Sequence, residues 1–225
     1  MTAPQKRPLN PPEISAAAVR LLAERGADVP SAHEIAAAAG MSRSAFFRRF
    51  ASTGDAVFAD HDTLLEELEE LLSSTPLAPS AAIVVGARRI LEHHLAQPET
   101  TRLRADIMRE SPALRDRELV VSHRYERVYA KYLVEHADLE IWEVVALSAA
   151  IVAIHNATLR RWLRDPATPA RSDLERDLSQ LAARFIGAGT GRADPAGAGK
   201  VLVAVYDAGD AQSVLARVAA ALRTS

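Results

Sequence analysis

Residues 31–50 read SAHEIAAAAGMSRSAFFRRF, a stretch that predicts two short helices joined by a tight turn. Ser31 and Glu34 form the S-x-x-E pattern of a capping box, so we expect the first helix to begin at Ser31. Gly40 stands where this helix has to end, because glycine enters the left-handed backbone region without steric cost. Ser42 is a suitable N-cap for the second helix.

The second predicted helix is basic. Arg43, Arg48 and Arg49 lie between Ser42 and Phe50, and no acidic residue lies among them. A helix-turn-helix places its second helix in the major groove of DNA, where serine hydroxyls and the arginine fork can contact phosphates and base edges. The alternative is an ordinary helical hairpin with arginines on a solvated face, which requires the caps, the glycine turn and the charge pattern to coincide by chance.

A longer pattern runs through these two helices. It reads Ile35-Ala36-x-x-Ala39-Gly40-Met41-Ser42-x-Ser44-x-Phe46-Phe47-x-x-Phe50, followed by Ser52 and Asp55. From about Glu13 to Phe58 the chain thus resembles the N-terminal domain of the TetR family of transcriptional regulators. The resemblance implies a three-helix domain that binds double-stranded DNA, usually to repress transcription. Together with the charge pattern, it makes the candidate DNA contacts Ser31, Ser42, Arg43, Ser44, Ala45, Phe47, Arg48, Arg49 and Thr53.

Two positions depart from the residues usual in that family. Phe47 stands where a tyrosine usually contacts a phosphate, and it has no hydroxyl. Thr53, followed by Gly54, stands where a lysine usually begins the next helix. If each change removes a phosphate contact, DNA binding is weaker and less dependent on salt than is usual in the family.

Composition limits where DNA contacts can come from. The chain has 225 residues, of which 48% are hydrophobic and 25% charged, as is typical of a globular protein with a sizeable core. Its net charge is −2, so any contact with nucleic acid must come from a local basic patch.

The sequence also indicates where in the cell the protein is expected. The longest apolar run, 144–154, is too short to span a bilayer, and residues 1–12 lack the apolar core of a signal peptide. The chain has no cysteine, which excludes disulfides and thiolate metal sites. We therefore expect a cytoplasmic protein with no membrane partner.

The rest of the chain predicts an all-α fold. Residues 1–12, with four prolines, are expected to be a flexible arm. We predict a helix-turn-helix domain at 1–60, a helical effector-binding and dimerisation domain at 61–187, and an extension at 188–225. Helices are expected at about 12–25, 31–39, 42–50, 52–72, 81–96, 100–110, 113–136, 139–164 and 172–186, with further capping boxes at Ser52–Asp55 and Ser172–Glu175.

Two of these helices suggest a dimer. The one over 139–164 is apolar on more than one face, and the one over 172–186 has leucines at the spacing of a packing seam. The family resemblance implies that both form a four-helix bundle with their copies in a second subunit. A homodimer would present two DNA-reading helices across a two-fold axis, as a palindromic operator requires. The alternative is that both helices are buried within one chain.

The end of the chain predicts a separate element. Five glycines and a proline make 187–199 a linker by composition. The run VLVAVY at 201–206 predicts a buried strand, and 211–222 predicts an amphipathic helix. Because a lone strand has unpaired edges, we expect it to pair, for instance with its symmetry mate.

The catalytic and metal-binding motifs that the sequence suggests each lack a required residue. The run Gly197-Ala198-Gly199-Lys200 is not a phosphate-binding loop, because Asp194 replaces its first glycine and Val201 its Ser/Thr. His33-Glu34 lacks the second histidine of a zinc-protease helix. We interpret Glu92-His93-His94 as a solvated helix face. The sequence therefore predicts no enzyme, no cofactor, no catalytic site and no metal site.

A second hypothesis is a helical protein that binds a small molecule, as a sensor or an enzyme, with weak or lost DNA binding. In the family that the chain resembles, the C-terminal domain encloses an effector pocket, where aromatic and buried polar side chains can orient a ligand. Each candidate residue is also common in ordinary cores. The candidates are His61, Met108, His123, Tyr125, Tyr129, Trp142, His155 and Asn156.

Overall fold

The computed structural model describes residues 9–26 and 30–186, and these form ten α-helices without a strand. The all-α prediction is confirmed, although the first helix begins at Pro11, one residue before the expected start at Pro12. Residues 1–8 of the arm and the predicted linker, strand and helix over 187–225 lie outside the described residues. The helices are α1 (Pro11–Arg25), α2 (Ala32–Ala38), α3 (Arg43–Arg49), α4 (Thr53–Val57), α5 (Asp60–Ser74), α6 (Pro79–Ala96), α7 (Pro98–Glu110), α8 (Pro112–His136), α9 (Ile141–Arg164) and α10 (Ala170–Phe185).

Capping bonds begin α2 and α3 as the sequence predicts. The Ser31 hydroxyl accepts from the Glu34 amide at 3.3 Å, and the Glu34 carboxylate accepts from the Ser31 amide at 2.9 Å. The Ser42 hydroxyl accepts from the Ala45 amide at 3.2 Å. Between the two helices Gly40 has a φ of 66°, in the left-handed region that favours glycine. The turn between α2 and α3 therefore has the expected form.

The single helix predicted over 52–72 is two helices, α4 and α5, with a break after Val57. In a continuous helix the Val57 carbonyl would accept from the His61 amide. Here it accepts from the Ser15 hydroxyl of α1 at 2.6 Å, and the His61 amide donates to the Phe58 carbonyl at 3.1 Å. The prediction was wrong because a side chain 42 positions away occupies the carbonyl.

The start of α10 also differs from the prediction. The helix begins at Ala170, and Ser172 lies in its first turn, where its hydroxyl donates to the Pro169 carbonyl at 3.1 Å. Glu175 accepts from Arg88 of α6 at 3.0 Å. The Ser172–Glu175 capping box is therefore wrong, because Glu175 binds a neighbouring helix instead of its own N-terminus.

One hydrophobic core connects the N-terminal helices to the remainder. α1 packs against α2, α4, α5 and α7, while α6 packs against α5, α9 and α10. The helices α1 to α10 belong to one compact unit, so the domain boundary at residue 60 stays a prediction about function. The largest fully buried side chains are Ile14, Ile35, Phe46, Leu68, Ile83, Leu91, Tyr129, Leu133, Leu147, Ile151, Leu174 and Leu178.

Three histidines are buried in this core. The ring of His94 of α6 lies 5.5 Å from that of His61 of α5 and 5.9 Å from that of His155 of α9, measured between ring centroids. Burial lowers the pKa of His61 and of His155 to about 4, and it lowers the pKa of His94 as well. The interpretation of His94 as part of a solvated face was wrong, because α6 turns this ring toward α5 and α9.

Stability is expected to fall as the pH falls from 7 to 5. The unfolded chain binds a proton at His155 near pH 6.5, whereas the folded chain does so only near pH 4, so protonation between these values favours unfolding. Each such histidine should lower the free energy of unfolding by roughly 1–2 kcal/mol over this range. Urea unfolding at the two pH values measures the loss.

Two histidine variants test the cause of that loss. His155→Gln should reduce it, whereas His123→Gln, at an exposed side chain of α8, should leave it unchanged. Asp60 does not contribute in this window, because its pKa is held well below 3.8 and its stabilising effect is lost only in stronger acid. An equal loss in the wild type and in His155→Gln would contradict the role given to burial.

Candidate DNA-binding surface and interior polar cluster

Two phenylalanines hold α3 on the core. Phe46 and Phe50 are buried, with ring centroids 5.1 Å apart, in the same core cluster as Ile35 of α2. The Met41 amide donates to the Ala36 carbonyl at 2.8 Å and closes the turn between the helices. Because the two phenylalanines are one helical turn apart, they fix which face of α3 points inward.

The opposite face of α3 is exposed and holds most of the candidate DNA contacts. Arg43, Ser44, Phe47 and Arg48 have the spacing of one helix face, and all four side chains are exposed. Arg49 is also exposed but lies on the flank of that face. Of the remaining candidates, Ser31 and Ser42 are exposed, whereas Ala45 and Thr53 are half-buried.

Aromatic rings restrain two of the three arginines of α3. The guanidinium of Arg43 lies over the ring of Phe47, 5.7 Å from its centroid. That of Arg49 lies 5.5 Å from the centroid of Phe50. Cations favour this position because the face of an aromatic ring is electronegative. The exposed Phe47 therefore supports Arg43 at the N-terminal end of the helix.

The acidic residues on either side of α3 have cationic partners elsewhere. Glu34 of α2 pairs with Arg25 of α1 at 2.6 Å. Hydrogen bonds from Ser31 hold the pKa of Glu34 below its usual value, so it stays ionised. Asp55 of α4 pairs with Arg117 of α8 at 2.8 Å. The positive charge of the exposed face is therefore not cancelled by its sequence neighbours.

A polar cluster lies in the interior, where α1, α5, α7 and α8 meet. We call Ser15, Asp60, His61, Arg104 and Tyr125 the interior polar cluster. Nη2 of Arg104 donates to Oδ2 of Asp60 and to Oγ of Ser15, both at 2.7 Å. Nη1 of Arg104 lies 3.3 Å from Nε2 of His61, whose Nδ1 lies 3.0 Å from the Tyr125 hydroxyl. Hydrogen bonds thus connect four helices inside the core.

The hydrogen bonds define the charge of each member. Because arginine only donates, Nε2 of His61 accepts, and its protonated Nδ1 donates to Tyr125. His61 must then be neutral, in agreement with its pKa of about 4. Burial is the largest single influence and would raise the pKa of Asp60, but the charge and hydrogen bond of Arg104, together with His61 and His93, outweigh it and hold the pKa well below its usual value. The cluster therefore contains one buried ion pair and neutral partners.

Some of the effector candidates lie at or near this cluster. His61 and Tyr125 belong to it, and His155 contacts it through the ring of His94. Tyr129 is buried one turn further along α8. Two others are partly buried: Asn156 of α9, whose amide donates to the Ser122 hydroxyl of α8 at 3.3 Å, and Met108.

The remaining two candidates do not join this interior group. Trp142 and His123 are exposed, and His123 lies 3.0 Å from Glu126 on the surface of α8. Conversely, the sequence reasoning missed Asp60 and Arg104. A signal was available for Arg104, which shares with Thr101 and Ile107 the three-residue spacing of the buried stripe of α7.

Two family models match this chain. Residues 14–59, which include α3, match the model described as bacterial regulatory proteins, tetR family. Residues 77–186, which include α6 to α10, match the model described as the MftR C-terminal domain. A protein of Mycobacterium tuberculosis (strain ATCC 25618 / H37Rv), named as the mycofactocin biosynthesis transcriptional regulator MftR, is 24% identical over 165 residues. That alignment covers 72% of this chain and 83% of the relative.

Solved structures show a related fold. NalD of Pseudomonas aeruginosa, the secondary repressor of the MexAB-OprM multidrug efflux pump, has a TM-score of 0.51 at 22% identity, covering 80% of this chain and 96% of NalD. FadR of Thermus thermophilus, a TetR family repressor solved with lauroyl-CoA, has a TM-score of 0.52 at 19% identity, covering 82% and 97%. With family models matching residues 14–59 and 77–186, the chain belongs to the TetR family of transcriptional regulators.

Proposed function

We propose that this chain is a ligand-responsive repressor that acts in the cytoplasm and binds a palindromic operator in double-stranded DNA as a homodimer. The main observation is the exposed basic face of α3, which two buried phenylalanines hold outward. NalD and the Thermus FadR are both described as repressors, which supports this mode of action. On this proposal the chain acts by binding, without enzyme activity or a cofactor.

The helix α3 would enter the major groove with its N-terminal residues nearest the base edges. Arg43, supported by Phe47, can present its guanidinium fork to a guanine. The small Ser44 lets the helix approach the bases closely, and Arg48 on the same face is placed for a phosphate. The other candidate contacts, Ser31, Ser42, Ala45, Arg49 and Thr53, would position the helix on the backbone.

The homodimer is supported by the outer face of α9. Ile141, Trp142 and Val145 are 69%, 64% and 60% exposed, which is unusual for large apolar side chains. Within the described ranges α9 is the one helix long and apolar enough to cross a membrane, yet only 39% of its apolar window is buried in the chain. A second copy of α9 and α10 would cover this face. The family assignment favours that partner over a bilayer.

The effector site is proposed for the interior around the polar cluster. The buried Tyr129 hydroxyl and Nε2 of His155 have no hydrogen-bond partner among the described residues. Buried polar groups without partners are costly, so a small molecule that bonds to them would gain affinity. The Thermus FadR was solved with lauroyl-CoA, so a protein of similar fold holds a ligand. On this proposal His61, Met108, Tyr125 and Asn156 surround the same ligand, and the exposed His123 and Trp142 do not contact it.

Two arginine replacements test the proposed reading helix. Arg48→Ala should weaken binding to all DNA sequences and reduce the salt slope by about 1, because a phosphate contact is lost. Arg43→Ala should weaken binding by roughly 1–3 kcal/mol and relax the base preference at one operator position. Fluorescence anisotropy measures both on an operator selected from random oligonucleotides.

The matched control is Arg89→Ala on α6. This change removes an exposed arginine that pairs with Glu67 at 3.1 Å, and it should leave DNA affinity unchanged. Wild-type affinity in both α3 variants would show that another surface binds DNA.

The two departures from the family's usual residues allow a test by gain of binding. Phe47→Tyr adds a phenol that can donate to a phosphate, and it should tighten binding by about fivefold, since such a bond is worth about 1 kcal/mol. Thr53→Lys adds a positive charge beside the DNA backbone and should raise the salt slope by about 1. The same titration of affinity against salt measures both effects.

The control for the added charge is Ser73→Lys, at an exposed position near the end of α5. Ser73→Lys should change neither the DNA affinity nor the salt slope. An equal rise of the salt slope in Ser73→Lys and Thr53→Lys would exclude a specific contact at position 53. If neither the wild type nor the Phe47→Tyr/Thr53→Lys variant binds any selected DNA, the alternative of a small-molecule-binding protein without DNA binding gains support.

A charge on the outer face of α9 tests the dimer. Val145→Glu should yield a monomer at micromolar concentration, because a buried carboxylate without a partner opposes association. Affinity for a palindromic operator should fall by roughly tenfold or more, since the two reading helices are no longer linked. Light scattering gives the mass. Leu77→Glu, at another exposed apolar side chain, should remain a dimer. A monomeric wild type or a dimeric Val145→Glu would contradict the proposed interface.

A further inference from the structure

The link between the DNA-reading helices and the remaining helices is the break after Val57. We call α1 to α4 the reading head; two residues, Phe58 and Ala59, separate α4 from α5. The break persists because the Ser15 hydroxyl donates to the Val57 carbonyl at 2.6 Å. The His61 amide, which would close a continuous helix, donates to the Phe58 carbonyl instead. The Ser15 hydroxyl therefore occupies the carbonyl that a continuous helix would use at this point.

The Ser15 hydroxyl is itself held by an arginine from outside the reading head. Arg104 of α7 uses the same nitrogen, Nη2, to donate to Ser15 and to Asp60, the first residue of α5, at 2.7 Å each. Its other terminal nitrogen faces His61, the next residue of α5. Arg104 thus bonds directly to the start of α5, and through the Ser15 hydroxyl it is connected to the last residue of α4.

Burial protects the hydrogen bonds of Arg104 from water. The exposed fractions of Ser15, Asp60 and Arg104 are 1%, 3% and 5%, so water does not compete for these hydrogen bonds. The planar guanidinium offers its donors in a fixed geometry, so it cannot follow one partner without leaving the other. Arg104 therefore couples the position of α7 to α1 and to α5 through the same nitrogen.

Among the described residues a second polar contact joins the reading head to the remaining helices. Nε of Arg117 of α8 lies 2.8 Å from the carboxylate of Asp55 of α4. This pair holds the first turn of α4 and does not touch Ser15 or the Val57 carbonyl. Control of the break itself falls to Arg104.

We propose that Arg104 is a positioning residue for DNA binding: through Ser15 it maintains the break between α4 and α5 and so sets the direction of the reading head. The inference rests on the proposed binding of a palindromic operator by a dimer. In such a dimer the direction of each head sets the distance between the two reading helices, and hence the half-site spacing that the protein accepts.

The test is the dependence of affinity on half-site spacing. Operators with the selected half-sites at the optimal spacing, and at one base pair more or less, are titrated against the full-length chain by fluorescence anisotropy. Ser15→Ala removes the bond to Arg104 and frees the Val57 carbonyl for the His61 amide. We expect its preference for the wild-type spacing to fall by roughly fivefold. The salt slope should be unchanged, because no phosphate contact is removed.

Ser148→Ala is the matched control. Ser148 is also buried, but its hydroxyl donates to the Val145 carbonyl within its own helix, α9, at 3.1 Å. A general loss of stability would affect both serine variants and would not alter spacing preference. If Ser15→Ala keeps the wild-type spacing preference, or if Ser148→Ala loses it equally, the inference is overturned.

A second variant covers the case in which Ser15→Ala does not fold. Asp60→Leu combined with Arg104→Met removes both charges together, so no unpaired charge is left in the core. Circular dichroism checks its helix content, and its spacing preference should change as in Ser15→Ala. A folded double variant with wild-type preference overturns the inference. Failure of the wild type to bind any selected operator instead contradicts the proposed function.

Discussion

The arrangement of α1, α5 and α7 depends on the buried ion pair between Asp60 and Arg104. Removing two charges from water costs several kcal/mol per ion, and their attraction offsets this only when further hydrogen bonds are made. Ser15 and His61 make those bonds with the guanidinium. Because each partner lies on a different helix from Arg104, the pair favours one arrangement of the helices over others of similar hydrophobic burial. The main effect of the ion pair is therefore to favour one relative position of α1, α5 and α7.

The local charge of a surface, and not the net charge of the whole chain, determines how that surface interacts with an anion. Salt screens exposed charges beyond a Debye length of about 8 Å at physiological ionic strength, so DNA near α3 responds mainly to nearby side chains. The acids that flank α3 in sequence are paired with Arg25 and Arg117. A chain of net charge −2 can therefore present a positive face to a polyanion.

Among the described residues, the outer face of α9 and the interior near α8 and α9 contain groups that find no suitable partner. The outer face of α9 exposes large apolar side chains, and the interior near α8 and α9 contains polar atoms without protein partners. An apolar face is satisfied by another apolar surface, whereas orphaned polar atoms require a ligand with matching donors and acceptors. This difference in chemistry is why we propose the first region for a second subunit and the second region for an effector.

The sequence by itself determined the helix class and the turn between α2 and α3, because the capping bonds at Ser31 and Ser42 and the turn at Gly40 involve residues close together in the chain. The charged face of α3 follows from the same local spacing. Only the tertiary structure decided the break after Val57 and the interior polar cluster, since Ser15 and Arg104 are 89 positions apart. Helical spacing tells which side chains share a face, whereas the neighbour that covers this face depends on packing.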